Sequence, residues 1–407
     1  MKIFRFFITK IFLRKFILSI AMALLFLMAN YTIFTATRSF FSTFQGYQEL
    51  ETINQEDTYI ANLDTDSNID MDIIKSNGTQ RIYDYLNKNF KYAFYADGFI
   101  VSLPNKDNME ISCAYMNEEY YKLRQFELSQ GTDLSFDYQF NHDIEIPILV
   151  GRGLSKTYPI GSTIKVKLPV LERLVTLKVQ GILKQNAYHS NFYAVNSKNY
   201  YNFSIFLPVN EEFLKHSNID LQLNGLMDII ILQATKEKVT NLSKIMQANL
   251  GLKFNFYSQK ENFDYFSEYY LSSLKTIFII ALILVLVIIC ISVWNALVSI
   301  RLMVRDFTIN LLVGLSYSKL RKILYSYYGI LFFINLTVLF FMTSYSRYGS
   351  WLRKDTTFVT YGLFGLIGMD WFALLVVFLS DIIIGVIIVE TMMKKIRKIP
   401  ISLGVLQ

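Results

Sequence analysis

Three stretches of this chain carry no charged residue over a length that a water-soluble fold rarely tolerates: residues 16–37, 276–300 and 323–346. A bilayer core of about 30 Å is crossed by roughly 20 apolar residues in a helix, so each stretch can span. A fourth, 371–389, is equally apolar except for Asp381 near its middle. A carboxylate at that depth costs about 2.5–3.5 kcal/mol on insertion scales, which the surrounding Leu, Ile, Val and Phe outweigh. Hydrophobic residues make up 53% of the 407, which fits a chain with several spans and not a purely soluble one.

Basic residues fix the expected orientation, because Lys and Arg near span ends stay on the cytoplasmic side. Lys2, Arg5, Lys10, Arg14 and Lys15 precede the first span, Arg301, Arg305, Lys319, Arg321 and Lys322 lie between the second and third, and Lys394, Lys395, Arg397 and Lys398 follow the fourth. Only one acid, Asp306, accompanies these 14 basic residues. Residues 38–275 carry 23 basic and 28 acidic residues and are placed outside. The net charge of +7 therefore reports topology, and nucleic acid is not an expected partner.

The first span, at 22 residues, exceeds a signal-peptide core of roughly 7–15 and lacks a convincing A-x-A site, so an uncleaved anchor is expected. The two cysteines, Cys113 in the outer segment and Cys290 within a span, leave no plausible intrachain disulfide. The expected class is an integral membrane α-helical protein, with four transmembrane helices and a large α+β extracytoplasmic domain between helices 1 and 2.

The resulting plan is a basic cytoplasmic N-terminus (1–15), helix 1 (16–37), the extracytoplasmic domain (38–275), helix 2 (276–300) and a cytoplasmic segment (301–322). Helix 3 (323–346), an extracytoplasmic loop (347–370), helix 4 (371–392) and a cytoplasmic C-terminus (393–407) complete it. Inside the outer domain, a strand at 58–63, a turn at Ser76-Asn77-Gly78, a helical spacing over 79–90 and a strand over 92–103 read as a β-α-β unit. A second such unit covers 228–233, 236–250 and 253–257. The two predict one membrane-proximal α/β subdomain (45–105 plus 208–265) around an inserted β-rich subdomain (109–207). Within the insert, Ile164, Val166 and Leu168 alternate, and so do Val175, Leu177 and Val179 beyond a turn near Pro169, as in a hairpin.

Catalytic chemistry finds little support. Gly151-Arg152-Gly153-Leu154-Ser155-Lys156-Thr157 imitates a P-loop, but that loop needs glycine just before the lysine and another five residues earlier; Ser155 and Val150 stand there. A turn between strands is the better expectation, so this chain is read as no enzyme, without catalytic, cofactor or metal residues. His142, His189 and His216 lack the i, i+4 spacing of a helical zinc site and are expected to be ordinary surface or loop histidines. Asp381 is expected at an intramembrane interface, paired with Asn295, Asn335 or a second protomer, or serving as a coupling residue.

Segment 301–322 is too short for a domain and combines a basic-acidic start, an apolar stretch, a Gly-x-Ser turn and a basic second helix. Such a segment can lie among lipid headgroups or enter a groove on a partner, and the residues alone favour neither. Here the chain resembles the FtsX-like, MacB-type ABC permease family. Arg305, Asp306, Phe307, Gly314 and Ser316 stand in register with that family's cytoplasmic motif, although Asp306 replaces its usual glutamate and Leu312 and Leu315 its usual alanines. Further likeness lies in Tyr120-Tyr121-Lys122-Leu123 through Gly131, Ile148-Leu149-Val150-Gly151, Tyr158-Pro159-Ile160-Gly161, Val179-Gln180-Gly181-Ile182-Leu183 and Lys395-Ile396-Arg397-Lys398-Ile399-Pro400.

The resemblance implies a permease subunit of an ABC transporter in the cytoplasmic membrane, dimeric with a second protomer of the same or another kind. A cytoplasmic ATPase subunit would dock on Arg305, Asp306, Phe307, Gly314, Ser316 and Lys319, and its ATP-driven motion would be relayed to the outer domain. Export or membrane clearance of a peptide, an antibiotic or a lipid-linked molecule is the expected task. An extracytoplasmic accessory protein and membrane lipid are further expected partners. Activation of an envelope hydrolase as a transmembrane scaffold, or sensing of extracellular peptides, is the alternative. Richness in Phe, Tyr, Ile, Lys and Asn points to an AT-rich bacterial genome.

Overall fold

The computed structural model describes residues 16–64, 67, 76–104, 109–140, 145–191 and 194–398. The basic residues ahead of the first span, His142, and Ile399 with Pro400 lie outside the described residues. The chain divides into two compact units. One holds residues 1–41, 272–346 and 366–407; the other, called the outer unit below, holds 42–271 and 347–365.

The elements run α1 (Phe16–Ile53), β1 (Tyr59–Leu63), α2 (Ser76–Asn89), β2 (Lys91–Ala93), β3 (Tyr95–Val101), β4 (Ile111–Met116), α3 (Glu118–Arg124) and β5 (Leu128–Gly131). Next come β6 (Glu145–Val150), β7 (Thr163–Leu168), β8 (Arg173–Leu183), β9 (Tyr188–Asn191), β10 (Ala194–Tyr200), β11 (Ser204–Pro208), α4 (Glu211–His216) and α5 (Ile219–Met227). β12 (Ile230–Leu232), α6 (Lys236–Leu250), β13 (Phe254–Ser258) and α7 (Gln259–Tyr265) lead through a π-helical turn, Phe266–Leu271, to α8 (Ser272–Leu312), α9 (Tyr317–Leu352) and α10 (Gly368–Arg397). Among the described residues, four helices, α1, α8, α9 and α10, are long and apolar enough to cross a membrane. A β-rich domain separates the first from the second.

In the first unit, Met22 and Phe26 of α1 pack with Ile300 and Phe307 of α8, Leu324 and Tyr328 of α9, and Ile388 and Met392 of α10. A smaller cluster joins Phe34 to Leu339, Ala373 and Val377. Most of α8 between Ile277 and Ile291 stays exposed, a surface that only an apolar surrounding suits.

Among the described residues the outer unit contains, besides a two-stranded β9–β10 ribbon, two sheets. The smaller has the order β13-β1-β12-β2 and is antiparallel throughout. That order interleaves the two β-α-β units, each crossover helix spanning a strand contributed by the other half, as in a ferredoxin-like sheet. Alternation along the strands gives it two apolar faces. Ala61, Ile231 and Phe254 join Ile82, Leu86, Leu242 and Met246 of α2 and α6. Ile60, Ala93, Ile230 and Leu232 join Leu50 and Ile53 from the last turns of α1.

The larger, seven-stranded sheet has the order β3-β4-β11-β6-β8-β5, with β7 also on β8. In the hairpin, Val166 faces Val175 and Ile164 faces Leu177. The strand expected over 92–103 is broken: β2 belongs to the small sheet and β3 to the large one. Asn117 makes the break possible, since its side chain donates to Tyr92 O at 2.8 Å and accepts from Phe94 N at 2.9 Å, satisfying backbone groups that leave both ladders. Residues 95–101 therefore do not form part of the α/β subdomain to which the 45–105 boundary assigned them. Residues 76–78 likewise open α2 and form no separate turn.

Candidate functional site

The segment between the second and third apolar helices is built differently from a short separate helix. α8 runs unbroken to Leu312, 41 residues in all, about 60 Å at 1.5 Å per residue. It ends in a Schellman pattern: Leu315 N donates to Asn310 O at 2.9 Å and Gly314 N to Leu311 O at 3.1 Å, with Gly314 at φ +99. Ser316 Oγ then accepts from Lys319 N at 3.3 Å and opens α9. The Gly-x-Ser spacing is thus a C-cap followed by an N-cap, which reverses the chain in four residues.

Arg305, Gly314, Ser316 and Lys319 are exposed around this reversal, and Asp306 is half-buried. Phe307, expected as a docking residue, has its ring buried among the helices of its own unit. The apolar groups presented outward are instead Ile309 (42% exposed), Leu312 (58%) and Val313 (84%). The 3.6-residue period explains the swap, since positions 300, 304 and 307 share the inward stripe of α8.

Asp381 is 3% exposed, and its partner is neither Asn295 nor Asn335. Asn30 Nδ2 of α1 donates to Asp381 Oδ2 at 3.1 Å. No local pattern flags this pair, which is 351 residues apart in the chain. Nearer the helix ends, Arg38 Nε stands 2.9 Å from Asp370 Oδ1, and Asp370 Oδ2 caps α10 by accepting from Ile367 N at 3.1 Å. Arg321 and Tyr325 of α9 both donate to Glu390 of α10, at 3.1 and 2.9 Å.

In the outer unit, a buried charge cluster surrounds Glu49 on the last turns of α1. Arg124 Nη1 lies 2.5 Å from Glu49 Oε1, and His189 Nδ1 lies 2.6 Å from the same oxygen. Ser190 N donates to both carboxylate oxygens at 3.1 and 3.0 Å. Burial pushes the Glu49 carboxyl up, but the His189 hydrogen bond and the Arg124 charge more than reverse this and hold it at about 2. Lys198 donates to Ser190 Oγ at 2.6 Å, and burial brings its amine down to about 8. His189 is thus a buried cluster member and no surface histidine, unlike His216, which is exposed and stacked on Phe140.

Local sequence positions this cluster. Asn117 caps α3, Glu118 and Glu119 occupy its first turn and Lys122 and Arg124 its last, which suits the helix dipole, and Gln125 at φ 46 ends it so that Arg124 faces inward. A polar cavity of ≈ 470 Å³ lies alongside, walled by Gln45, Gln48, Arg124, Gln125, Gln185 and Asn186.

Within the segment 347–370 expected as a loop, the end of α9 (347–352) and a strap that follows it (353–365) fold into the outer unit. Val359, Trp351 and Tyr361 pack on its core. Tyr200 N donates to Thr357 O at 2.8 Å, Asn202 Nδ2 to Val359 O at 3.0 Å, and Asn186 pairs with both Tyr361 N and Tyr361 O at 2.8 and 2.6 Å. The P-loop lookalike is consumed here as well. Gly151 N donates to Ser204 O at 2.8 Å and Gly153 N to Asn202 O at 2.7 Å, so neither amide is free to wrap a phosphate.

Fold and geometry together define a chain of four membrane-length apolar helices, with a β-rich outer unit between the first and second and a tight capped reversal between the second and third. No family model matches the sequence, and no curated protein matches it. Among solved structures, the periplasmic region of MacB from Actinobacillus actinomycetemcomitans is 13% identical over 52% of this chain and 92% of its own, with a TM-score of 0.32. The extracellular domain of the ABC-type transporter YknZ from Gram-positive bacteria is 11% identical over 49% of this chain and 100% of its own, at 0.31. A domain of a permease protein from Porphyromonas gingivalis is 10% identical over 50% and 90%, at 0.30.

Proposed function

We propose that this protein is a multi-pass permease subunit of an ABC transporter in a bacterial cytoplasmic membrane, with both termini cytoplasmic. It passes motion from a separate ATPase subunit to its extracytoplasmic domain, and the chain itself hydrolyses no ATP. A second protomer completes the membrane assembly. The task is export or membrane clearance of a peptide, an antibiotic or a lipid-linked molecule.

One observation carries the relay: the continuations of three apolar helices are fastened inside the outer unit. Leu50 and Ile53 of α1 sit in its core and Glu49 in its buried charge cluster. Where α7 begins, Asn54 Nδ2 donates to Gln259 O at 3.1 Å and Gln259 Nε2 to Asn54 O at 2.8 Å, and Asn262 Nδ2 donates to Asn54 Oδ1 at 3.1 Å. The strap that follows α9 is bonded along its length. A shift of a helix is therefore delivered through buried, short-range contacts, which resist continuous deformation and favour discrete states.

The reversal at 312–317 supports docking of the ATPase, since Ile309, Leu312 and Val313 project as an apolar knob between basic residues. Purifying the full-length chain with its ATPase, with and without residues 304–322 or with Val313→Asp, tests this. Loss of the ATPase from correctly inserted variants is expected; its full retention on both would refute the assignment. Labelling of residues near 150 in intact cells tests insertion separately.

A further inference from the structure

Between α9 and α10 the first unit contains a groove of ≈ 340 Å³, with walls formed by Tyr325, Tyr328, Phe332, Phe333, Gly385 and Asp381. Almost all of its lining is apolar. Gly385 keeps it open beside Phe332, since a Cβ there would meet the Phe332 ring at 3.0 Å, and beside Gly329 a Cβ would meet nothing within 4 Å.

The polar balance at Asp381 is uneven. Asn30 satisfies Asp381 Oδ2, while Asp381 Oδ1 and the amide oxygen of Asn30 have no hydrogen-bond partner among the described residues. Two acceptors thus stand unpaired on one bonded pair of side chains, and a buried carboxylate oxygen left in that state is costly. Of the two side chains only Asp381 lines the groove, so a ligand that answers its unpaired oxygen is positively charged at one end and apolar along its body.

Depth narrows the class. Asp381 is the fourteenth of 30 residues in α10, about 20 Å along a helix some 45 Å long, so the polar point lies near mid-span. A phospholipid keeps its phosphate in the headgroup layer and cannot place it there without a large desolvation cost. We infer that the α9–α10 groove is a binding site for a membrane-dissolved amphiphile bearing an unphosphorylated ammonium group, with Asp381 receiving the ammonium and the aromatic walls holding its chain. This rests on the membrane insertion proposed above but not on ATPase docking.

Dodecylamine is a suitable probe. Its equilibrium binding to the full-length protein in phosphatidylcholine nanodiscs is measured against protein-free discs, with no ATPase present. Saturable binding at one amine per chain is expected, at least tenfold weaker in Asp381→Asn and in Gly385→Leu, with dodecanol and dodecanoate failing to compete at equal concentration. Folding is checked by elution and melting; if Asp381→Asn does not fold, Gly385→Leu, which leaves the carboxylate in place, decides the matter. No saturable wild-type binding, wild-type affinity in a folded variant, equal competition by dodecanol, or competition by phosphatidylethanolamine in the discs would each overturn the proposal. A failure of insertion is recognised independently by the labelling experiment.

Discussion

Replacing Glu49 by Gln removes one charge from the centre of the outer unit's buried cluster while keeping an acceptor and nearly the same volume. The carboxyl is held at about 2, against 4.5 for an ordinary glutamate, so the folded state favours the ionised form by roughly 2.5 units. At about 1.4 kcal/mol per unit this amounts to roughly 3 kcal/mol, within the range of about 3–5 kcal/mol seen when one partner of a buried ion pair is deleted. For a unit of some 250 residues, the transition should fall by about 6–12 °C at pH 7.

The pH dependence has a definite sign. A folded-state value below the unfolded one gives a contribution that is complete above pH 4.5 and is lost as pH falls toward about 2. Wild type should therefore lose about 3 kcal/mol more than Glu49→Gln over that window, and the two curves should run parallel above pH 5. Thermal unfolding of full-length protein in detergent, followed by tyrosine and tryptophan fluorescence, measures both effects. Adding Arg124→Met to Glu49→Gln should cost less than the two single changes summed, because the first change has already stranded the guanidinium. Equal melting of wild type and Glu49→Gln at pH 7, or strict additivity of the double variant, would refute the reading of a coupled cluster.

Lys198, brought down to about 8 by burial, should make the outer unit more stable as pH rises from about 8 toward 10.5, since the unfolded chain then holds the extra proton; Lys198→Met should abolish that rise in pH-dependent melts. Gly151→Ala places a Cβ 1.9 Å from Tyr201 O and 2.5 Å from Asn202 O, both backbone atoms, so a loss of several kcal/mol or failure to fold is expected, read by soluble yield and melting. Gly314→Ala must adopt φ +99 and should cost about 1–2 kcal/mol at the reversal, seen as reduced recovery of the ATPase with unchanged outer-unit melting. Asn186→Ala removes both hydrogen bonds to Tyr361 and should raise amide exchange across 356–362 while leaving β8 protected.

Much of the local architecture was legible because it obeys a short-range period. The alternation at Val166 and Val175 placed those residues on one buried face of a hairpin, and the absence of charge over 323–346 marked an apolar helix. The Gly314-x-Ser316 spacing announced a turn whose cap geometry the structure supplies. The burial of Phe307 was not legible, because a resemblance assigns residues to a motif without saying which way the helix turns them. The 92–103 strand was misjudged because its break depends on Asn117, a side chain beyond its end.

The residues of greatest functional interest were the least legible. Glu49, Arg124 and His189 look like three unrelated polar residues, as do Asn30 and Asp381, and the 347–370 segment looks like a connector. Sequence alone determined that four apolar segments flank a mildly acidic domain, because hydrophobic length and charge placement are properties of contiguous residues that solvent reads directly. Only the tertiary structure decided which charges neutralise one another, which ring is hidden and where a strap is sewn down. Those outcomes depend on distances of about 3 Å between groups tens to hundreds of positions apart, and no period in the chain encodes them.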